Sequence, residues 1–300
     1  MSFLVADTHC DVLSNMVDHN FSFDGGAVAG DLSREGLLAG KVGLQVFAIW
    51  VGRAPRDHKD YCYRQLHAYY SMLSDQDFFI PFDGTLRQDR VSTLLALEGA
   101  DFITDLAFVG RLAHFGVRIV TLVWNNLSPV GVPAVYGAGG LTDWGRDLVC
   151  ELNRHKIAVD VSHLNEDGFH DVIQCSSLPA MASHSNARAV YDHPRNLRNG
   201  QIKALACSGG FIGLNFFPDH LGDASTAQFF RHMEHMLSLG AEDILGFGSD
   251  FDGISTHMDE VKGPQHFPVL IEHMLRMNYP EDLVRNICSG NFLHYLQQFS

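Results

Sequence analysis

Residues 3–11 read Phe-Leu-Val-Ala-Asp-Thr-His-Cys-Asp, a short apolar run that stops on three ionisable side chains. A run of this length suits a strand buried on both faces of a sheet. In an α/β protein the carboxyl ends of such strands form the lip where ligands and metals bind. Side chains of an extended segment alternate, so His9 and Asp11 point the same way and could share one cation, while Cys10 points to the opposite face and reads as a small buried hydrophobe. The bland alternative for the segment is local turn capping by Asp and Thr.

The pattern continues along the chain. Apolar runs at 42–50, 92–97, 117–123, 157–161, 179–183, 211–215 and 244–248 add seven candidate strands to the one at 3–7. Helical stretches lie between them: 61–73, 142–155 with Thr142 as cap, and 226–239, where Phe229, Phe230, Met233, Met236 and Leu237 keep helical spacing before Gly240. Residues 280–298 read as two short helices broken near Ser289-Gly290. Eight strands alternating with helices imply a parallel sheet, and eight is the number that closes a (β/α)8 TIM-like barrel of the metal-dependent hydrolase type. A doubly wound open sheet is the alternative, but the first turn has no G-x-G-x-x-G. No linker or repeat divides residues 1–300, which are expected to form one domain; Gly25-Gly26 and 128–140 read as surface loops.

Composition narrows the function. The 300 residues are 46% hydrophobic and carry 21 basic against 35 acidic side chains, a formal charge of −14. No basic run stands out, which argues against nucleic acid. No apolar stretch approaches a membrane span, and neither a signal peptide nor a lipid-anchor motif is visible, so a cytoplasmic protein without membrane attachment is expected. Six scattered cysteines without a C-x-x-C pair fit reduced thiols.

The strand ends carry the chemistry. The first run leads to His9 and Asp11, the third to Glu98, the fifth to Asp160 and His163, the sixth to His184, and the eighth to Asp250 and Asp252. Several carboxylates buried together are too costly unless cations neutralise them, so a metal site, with two ions, is expected. Three histidines with carboxylates and no thiolate favour zinc, with manganese, cobalt or iron as alternatives. A carboxylate such as Glu98 could bridge two metals about 3.5 Å apart that hold a bridging water acidic enough to attack at neutral pH. An acidic group not used as a ligand must then move the proton to the leaving amine, and Asp250 is the candidate.

These residues resemble the renal or membrane dipeptidase family of zinc peptidases, within the amidohydrolase-like barrels. The matching pieces are D-T-H-C-D at 7–11, A-L-E-G-A-D at 96–101, G-L-T-D-W-G at 140–145, D-V-S-H at 160–163, A-S-H-S-N-A-R-A-V with H-P-R-N-L within 182–197, and G-F-G-S-D-F-D-G at 246–253. The resemblance implies a dipeptidase acting on small dipeptides, including L,D-dipeptides. It makes His9 and Asp11 ligands of one zinc, His163 and His184 ligands of the other, Glu98 the bridge and Asp250 the acid/base. It gives Arg195 the substrate's C-terminal carboxylate, which a bidentate guanidinium suits; a surface ion pair is the bland reading, and Arg188 competes for the role. The family's histidine after the fourth strand falls on Trp124, which either walls the pocket or donates its one N–H, with Asn125 or Asn126 as other donors. The implied relative is a bacterial-type cytosolic enzyme, and a homodimer is compatible with such barrels. Two other readings stay open: another amide or ester hydrolase on the same barrel, and an inactive metal-binding homologue.

Overall fold

The computed structural model describes residues 3–23, 30–52 and 57–299. Gly25-Gly26 lies outside them. The chain alternates strand and helix: β1 (Val5–Asp7), α1 (Val12–Asp18), α2 (Arg34–Ala39), β2 (Val42–Trp50), α3 (His58–Met72), β3 (Phe79–Pro81), β4 (Val91–Glu98), α4 (Ala107–His114), β5 (Val117–Thr121), α5 (Asp143–Arg154), β6 (Ala158–Asp160) and α6 (Glu166–Cys175). It continues through β7 (Met181–Ala182), α7 (Asn199–Ser208), β8 (Phe211–Leu214), α8 (Pro218–Leu221), α9 (Thr226–Ser238), β9 (Leu245–Phe247), α10 (Phe267–Arg276), α11 (Glu281–Arg285) and α12 (Asn291–Gln297). All strand pairs are parallel, in the order β2-β1-β9-β8-β7-β6-β5-β4, and β2 pairs with β4 over Leu44–Trp50 and Ser92–Glu98. That pairing closes an eight-stranded (β/α)8 barrel and excludes the open sheet. The short β3 adds to the starting end of β4.

The eight expected strands are all present, most of them shorter by a residue or two. Thr142 caps α5 by accepting from Gly145 N at 3.0 Å, and Gly240 follows the end of α9 in the left-handed region (φ 87°). Residues 128–140 form a loop with one short 3-10 turn. The C-terminal helices differ from expectation: a π turn over Asn286–Gly290 joins α11 to α12 instead of breaking them apart.

Two apolar layers build the core. One lies between strands and helices. The other fills the barrel, where Ala6, Leu44, Val46, Leu94, Ala96, Ile119, Ala158, Met181 and Phe211 point inward with period two. Phe292 and Tyr295 of α12 seal its floor: both rings pack on Phe211, and the Tyr295 hydroxyl donates to Pro179 O at 2.9 Å. Above this floor the inward positions turn polar, with Thr8, Glu98, Thr121, Asp160 and Ser183 all buried. Gly213 and Gly248 face that layer, where a Cβ on either would collide with the Ser183 carbonyl oxygen. The strands therefore hold Ser183 at a depth that only glycine permits.

His232 on α9 ties the outer layer to the loop after β7. It is fully buried; its Nδ1 accepts from Ala187 N at 3.0 Å and its Nε2–H donates to Leu221 O at 2.9 Å. Burial lowers its pKa below the ordinary value. The neutral imidazole thus contributes stability that is complete above the unfolded value of about 6.5 and is lost as pH falls through it, because the unfolded chain takes up a proton the folded one refuses. His232→Gln is expected to show a smaller drop in melting temperature than the parent between about pH 7.5 and about pH 5.5. Equal drops in a calorimetric scan would contradict this.

Candidate metal centre

β1 ends at Asp7, and the short segment that follows, bridged at Cys10 to Phe251, carries His9 and Asp11 to the barrel mouth. Asp7 itself is spent inside: its carboxylate accepts from Ser249 N at 2.8 Å, Ser249 Oγ at 2.6 Å and Gln45 Nε2 at 2.9 Å. Cys10 faces away, fully buried, with its thiol on Val46 O at 3.4 Å. The capping alternative fails for this segment. Asp11 occupies the N-cap position of α1 but makes no side-chain cap bond, and the Thr8 hydroxyl lies on Ser183 O and Phe247 O.

The other strand ends deliver their groups to the same place. His9 Nε2 stands 3.6 Å from Asp11 Oδ2, 3.7 Å from Glu98 Oε2 and 3.9 Å from Asp250 Oδ1. The second Glu98 oxygen faces elsewhere: Oε1 is 3.0 Å from His163 Nε2 and 3.5 Å from His184 Nε2, and those two nitrogens are 3.0 Å apart. Glu98 thus belongs to two triads, His9–Asp11–Glu98 and Glu98–His163–His184, and a third joins His9, His184 and Asp250. All six residues are at least nine-tenths buried. Asp250 reaches the group because β9 closes onto β1, where its backbone N–H donates to His9 O at 3.1 Å.

Left to the protein groups alone, the cluster is electrostatically unbalanced. Burial would discharge His9, but Glu98 and Asp11 hold its imidazole well above the ordinary value. Burial pulls His163 down to about 4 and His184 well below its usual range, where His9 and Arg195 lower it further. Asp250 is pushed up to about 7 by burial and by Asp11 and Glu98. His9 Nε2 and Asp11 Oδ1 are buried without a hydrogen-bond partner among the described residues. Unpartnered polar atoms and crowded imidazoles of this kind are what a divalent cation satisfies, and the donor set of imidazole nitrogens and carboxylate oxygens suits one. The backbone is held out of its preferred regions here: His163 (φ 67°), Asp250 (φ 66°) and Asp252 (φ 64°) adopt left-handed conformations, which cost about 1–3 kcal/mol each for such residues.

A cleft of about 310 Å³ opens onto Asp11, Glu98, His163 and Asp250. Trp124 lines it and meets Trp50 edge-on, ring centroids 5.1 Å apart. Asn125 lines it too, with Oδ1 taken by His163 Nδ1 at 2.8 Å. Asn126 bonds elsewhere, to Gly52 O at 3.4 Å. Arg195 belongs to the wall of a neighbouring cavity of about 410 Å³, lined also by Leu164 and Asn165, which follow His163 in the chain. It is 5% exposed, has no carboxylate within ion-pair distance among the described residues, and touches His184 O at 3.5 Å. Its burial lowers its pKa to about 10. The surface ion pair belongs to Arg188 instead, which binds Asp192 at 2.6 Å. Sequence reasoning missed Trp50, His220 and Asn215. Asn215 donates to Asp250 Oδ2 at 2.9 Å, and its place at the end of the β8 run was the available signal.

The family model for membrane dipeptidases, peptidase family M19, matches residues 1–300. The chain belongs to the M19 dipeptidases. Among relatives of this M19 protein, "Uncharacterized protein in pqqA 5'region" of Klebsiella pneumoniae is 33% identical over 70% of this chain and 83% of its own length. "Dipeptidase tcpJ" of Claviceps purpurea is 31% identical over 71% of this chain, which spans 52% of that protein. The solved dipeptidase AC, a metallopeptidase of family M19, superposes with a TM-score of 0.91 at 28% identity, covering 99% of both chains. A metallopeptidase from Rhodobacter sphaeroides, liganded with a phosphinate mimic of the dipeptide L-Ala-D-Ala, gives 0.91 at 27% identity with both chains fully covered. As in these enzymes, the M19 fold here is the closed parallel barrel. No helix among the described residues is long and apolar enough to cross a membrane.

Gly253 offers a test of the crowding. Its backbone lies outside the left-handed region, yet a Cβ there would collide with Asp11 Oδ2 and stand 2.8 Å from Asp250 Oδ1. Gly253→Ala is expected to lose bound metal on dialysis while its metal-free melting temperature stays near the parent's. Full metal retention would contradict the placement of Asp11.

Proposed function

We propose that the chain is a two-metal dipeptidase that cleaves dipeptides, L,D-dipeptides included. Glu98 carries this reading: one of its oxygens faces His9, which also faces Asp11, and the other faces His163 and His184. His9 and Asp11 with Glu98 would hold one ion, and His163 and His184 with Glu98 the other, zinc being the metal their donors favour. Bound there, the ions would polarise the scissile carbonyl and acidify the attacking water. The L,D preference draws support from the L-Ala-D-Ala mimic bound by the R. sphaeroides enzyme.

The remaining work falls to the chain. Asp250 is held through Oδ2 by Asn215 while Oδ1 faces His9, and its raised pKa suits a group that accepts a proton and then gives it to the leaving amine. Arg195, buried without a carboxylate partner among the described residues, takes the substrate's C-terminal carboxylate, which limits the enzyme to short substrates. Trp124 and Trp50 form an aromatic corner that walls the cleft where the family has a histidine. Six unpaired cysteines, two of them exposed, support a cytoplasmic setting. We read the chain as one domain and take a homodimer as the state to test by light scattering.

Purified protein is expected to carry two divalent ions per chain by elemental analysis; none, or a single tight ion, would sink the two-metal reading. Asp250→Asn should keep its metal and lose about 10²–10⁴-fold in kcat. Arg195→Ala should weaken substrate binding by about 1.5–3 kcal/mol, seen in KM, with kcat less affected. Parent enzyme that cleaves amidated dipeptides as well as free ones would remove Arg195 from the carboxylate role.

A further inference from the structure

His184 is held from behind by a buried chain of hydrogen bonds. Its Nδ1 lies 2.7 Å from Ser183 Oγ, which lies 2.6 Å from Asp160 Oδ2. None of the three residues is more than 1% exposed. Asp160 fixes the direction of the protons. Its Oδ1 accepts the backbone N–H groups of Ser162 and Ser183, each at 2.9 Å, and its Oδ2 also accepts the Thr121 hydroxyl at 2.6 Å. Four donors converge on two oxygens, so the carboxylate acts only as an acceptor and Ser183 must give it its single hydroxyl proton. A lone pair of Ser183 Oγ then faces His184, and Nδ1 must carry the proton it donates. The bare nitrogen is Nε2, whose lone pair faces Glu98 Oε1 at 3.5 Å.

We propose that Asp160 and Ser183 are positioning residues for metal binding, locking His184 in its Nδ1-protonated tautomer so that Nε2 is presented to a cation. This rests on the metallo-dipeptidase reading above. A histidine ligand held by a hydrogen bond on its far nitrogen loses less freedom on binding, and removing such a partner typically costs about 10–100-fold in metal affinity. Asp160 also knits β5, β6 and β7 together, so a purely structural role must be separated from a positioning one. Thr121 makes the separation: it donates to the same carboxylate oxygen, is equally buried and hydrogen-bonds to no imidazole among the described residues.

The experiment measures zinc affinity by competition against a chromophoric chelator, beside thermal melts, for the full chain and its variants. Ser183→Ala is expected to bind one of the two ions about 10–100-fold more weakly, and Ser183→Thr, which keeps the hydroxyl, to recover most of the loss. Thr121→Val is expected to melt at a lower temperature yet bind zinc as the parent does. Parental affinity in Ser183→Ala, or an equal loss in Thr121→Val, overturns the proposal. Should Ser183→Ala fail to fold, Ser183→Thr and Ser183→Cys decide: a loss confined to the poorly donating cysteine supports the lock, and equal affinities overturn it. A parent chain that binds no divalent ion removes the dipeptidase reading itself. A parent with two ions and an unaffected Ser183→Ala removes only the lock.

Discussion

Three carboxylates, Asp11, Glu98 and Asp250, are buried at the barrel mouth with no lysine or arginine paired to any of them among the described residues; their ion-pair neighbours are all histidines. This charge problem is the constraint around which the rest is arranged. Taken out of water without cations, such a group is strongly unfavourable. The fold tolerates it because the carboxyl ends of a parallel barrel bring many chain segments to one point without requiring any of them to be long. Arg195 contributes a positive field from the side, felt by His163 and His184, but contacts none of the carboxylates.

Polarity rises in steps along the barrel axis. The floor is hydrocarbon, sealed by Phe292 and Tyr295. Next come hydroxyls and one saturated carboxylate, Asp160, whose hydrogen bonds are all met by the protein. Above it lie groups whose hydrogen bonds are not all met, such as His9 Nε2 and Asp11 Oδ1. The contrast between Asp160 and Asp11 is instructive. Both are buried aspartates at strand ends, yet one is complete within the protein and the other is left open. That difference, more than residue type, separates a structural acid from a candidate ligand.

Most of the barrel was legible because its strands are continuous apolar runs, and the candidate site because five of the eight runs lead to ionisable residues. What escaped has physical reasons. Phe79-Ile80-Pro81 is too short and ends in proline, so β3 gives no periodic signal. Ser289-Gly290 looks like a helix break, but the π turn accommodates the pair within a continuous helix. Asp160 was visible as a strand-end acid, while its saturation depends on Thr121, Ser162 and Ser183, which come from three different strand ends. Trp50 closes β2 as an aromatic in an apolar run, and only the barrel's closure brings it against Trp124. The sequence favoured Arg195 over Arg188 through the motif around it, and did not anticipate that Arg188 pairs with Asp192.

The two glycines that press on the Ser183 carbonyl have a consequence for how this chain can change over generations. Gly213 and Gly248 sit on β8 and beyond β9, remote from each other in sequence, yet both are sized to one backbone atom. A larger residue at either position can be accepted only if strand β7 retreats, and that retreat would carry Ser183 and His184 with it. Drift at 213 and 248 is therefore coupled to the reach of an imidazole neither residue touches. Lineages that keep the barrel but abandon the chemistry should be the ones in which these two positions are released together.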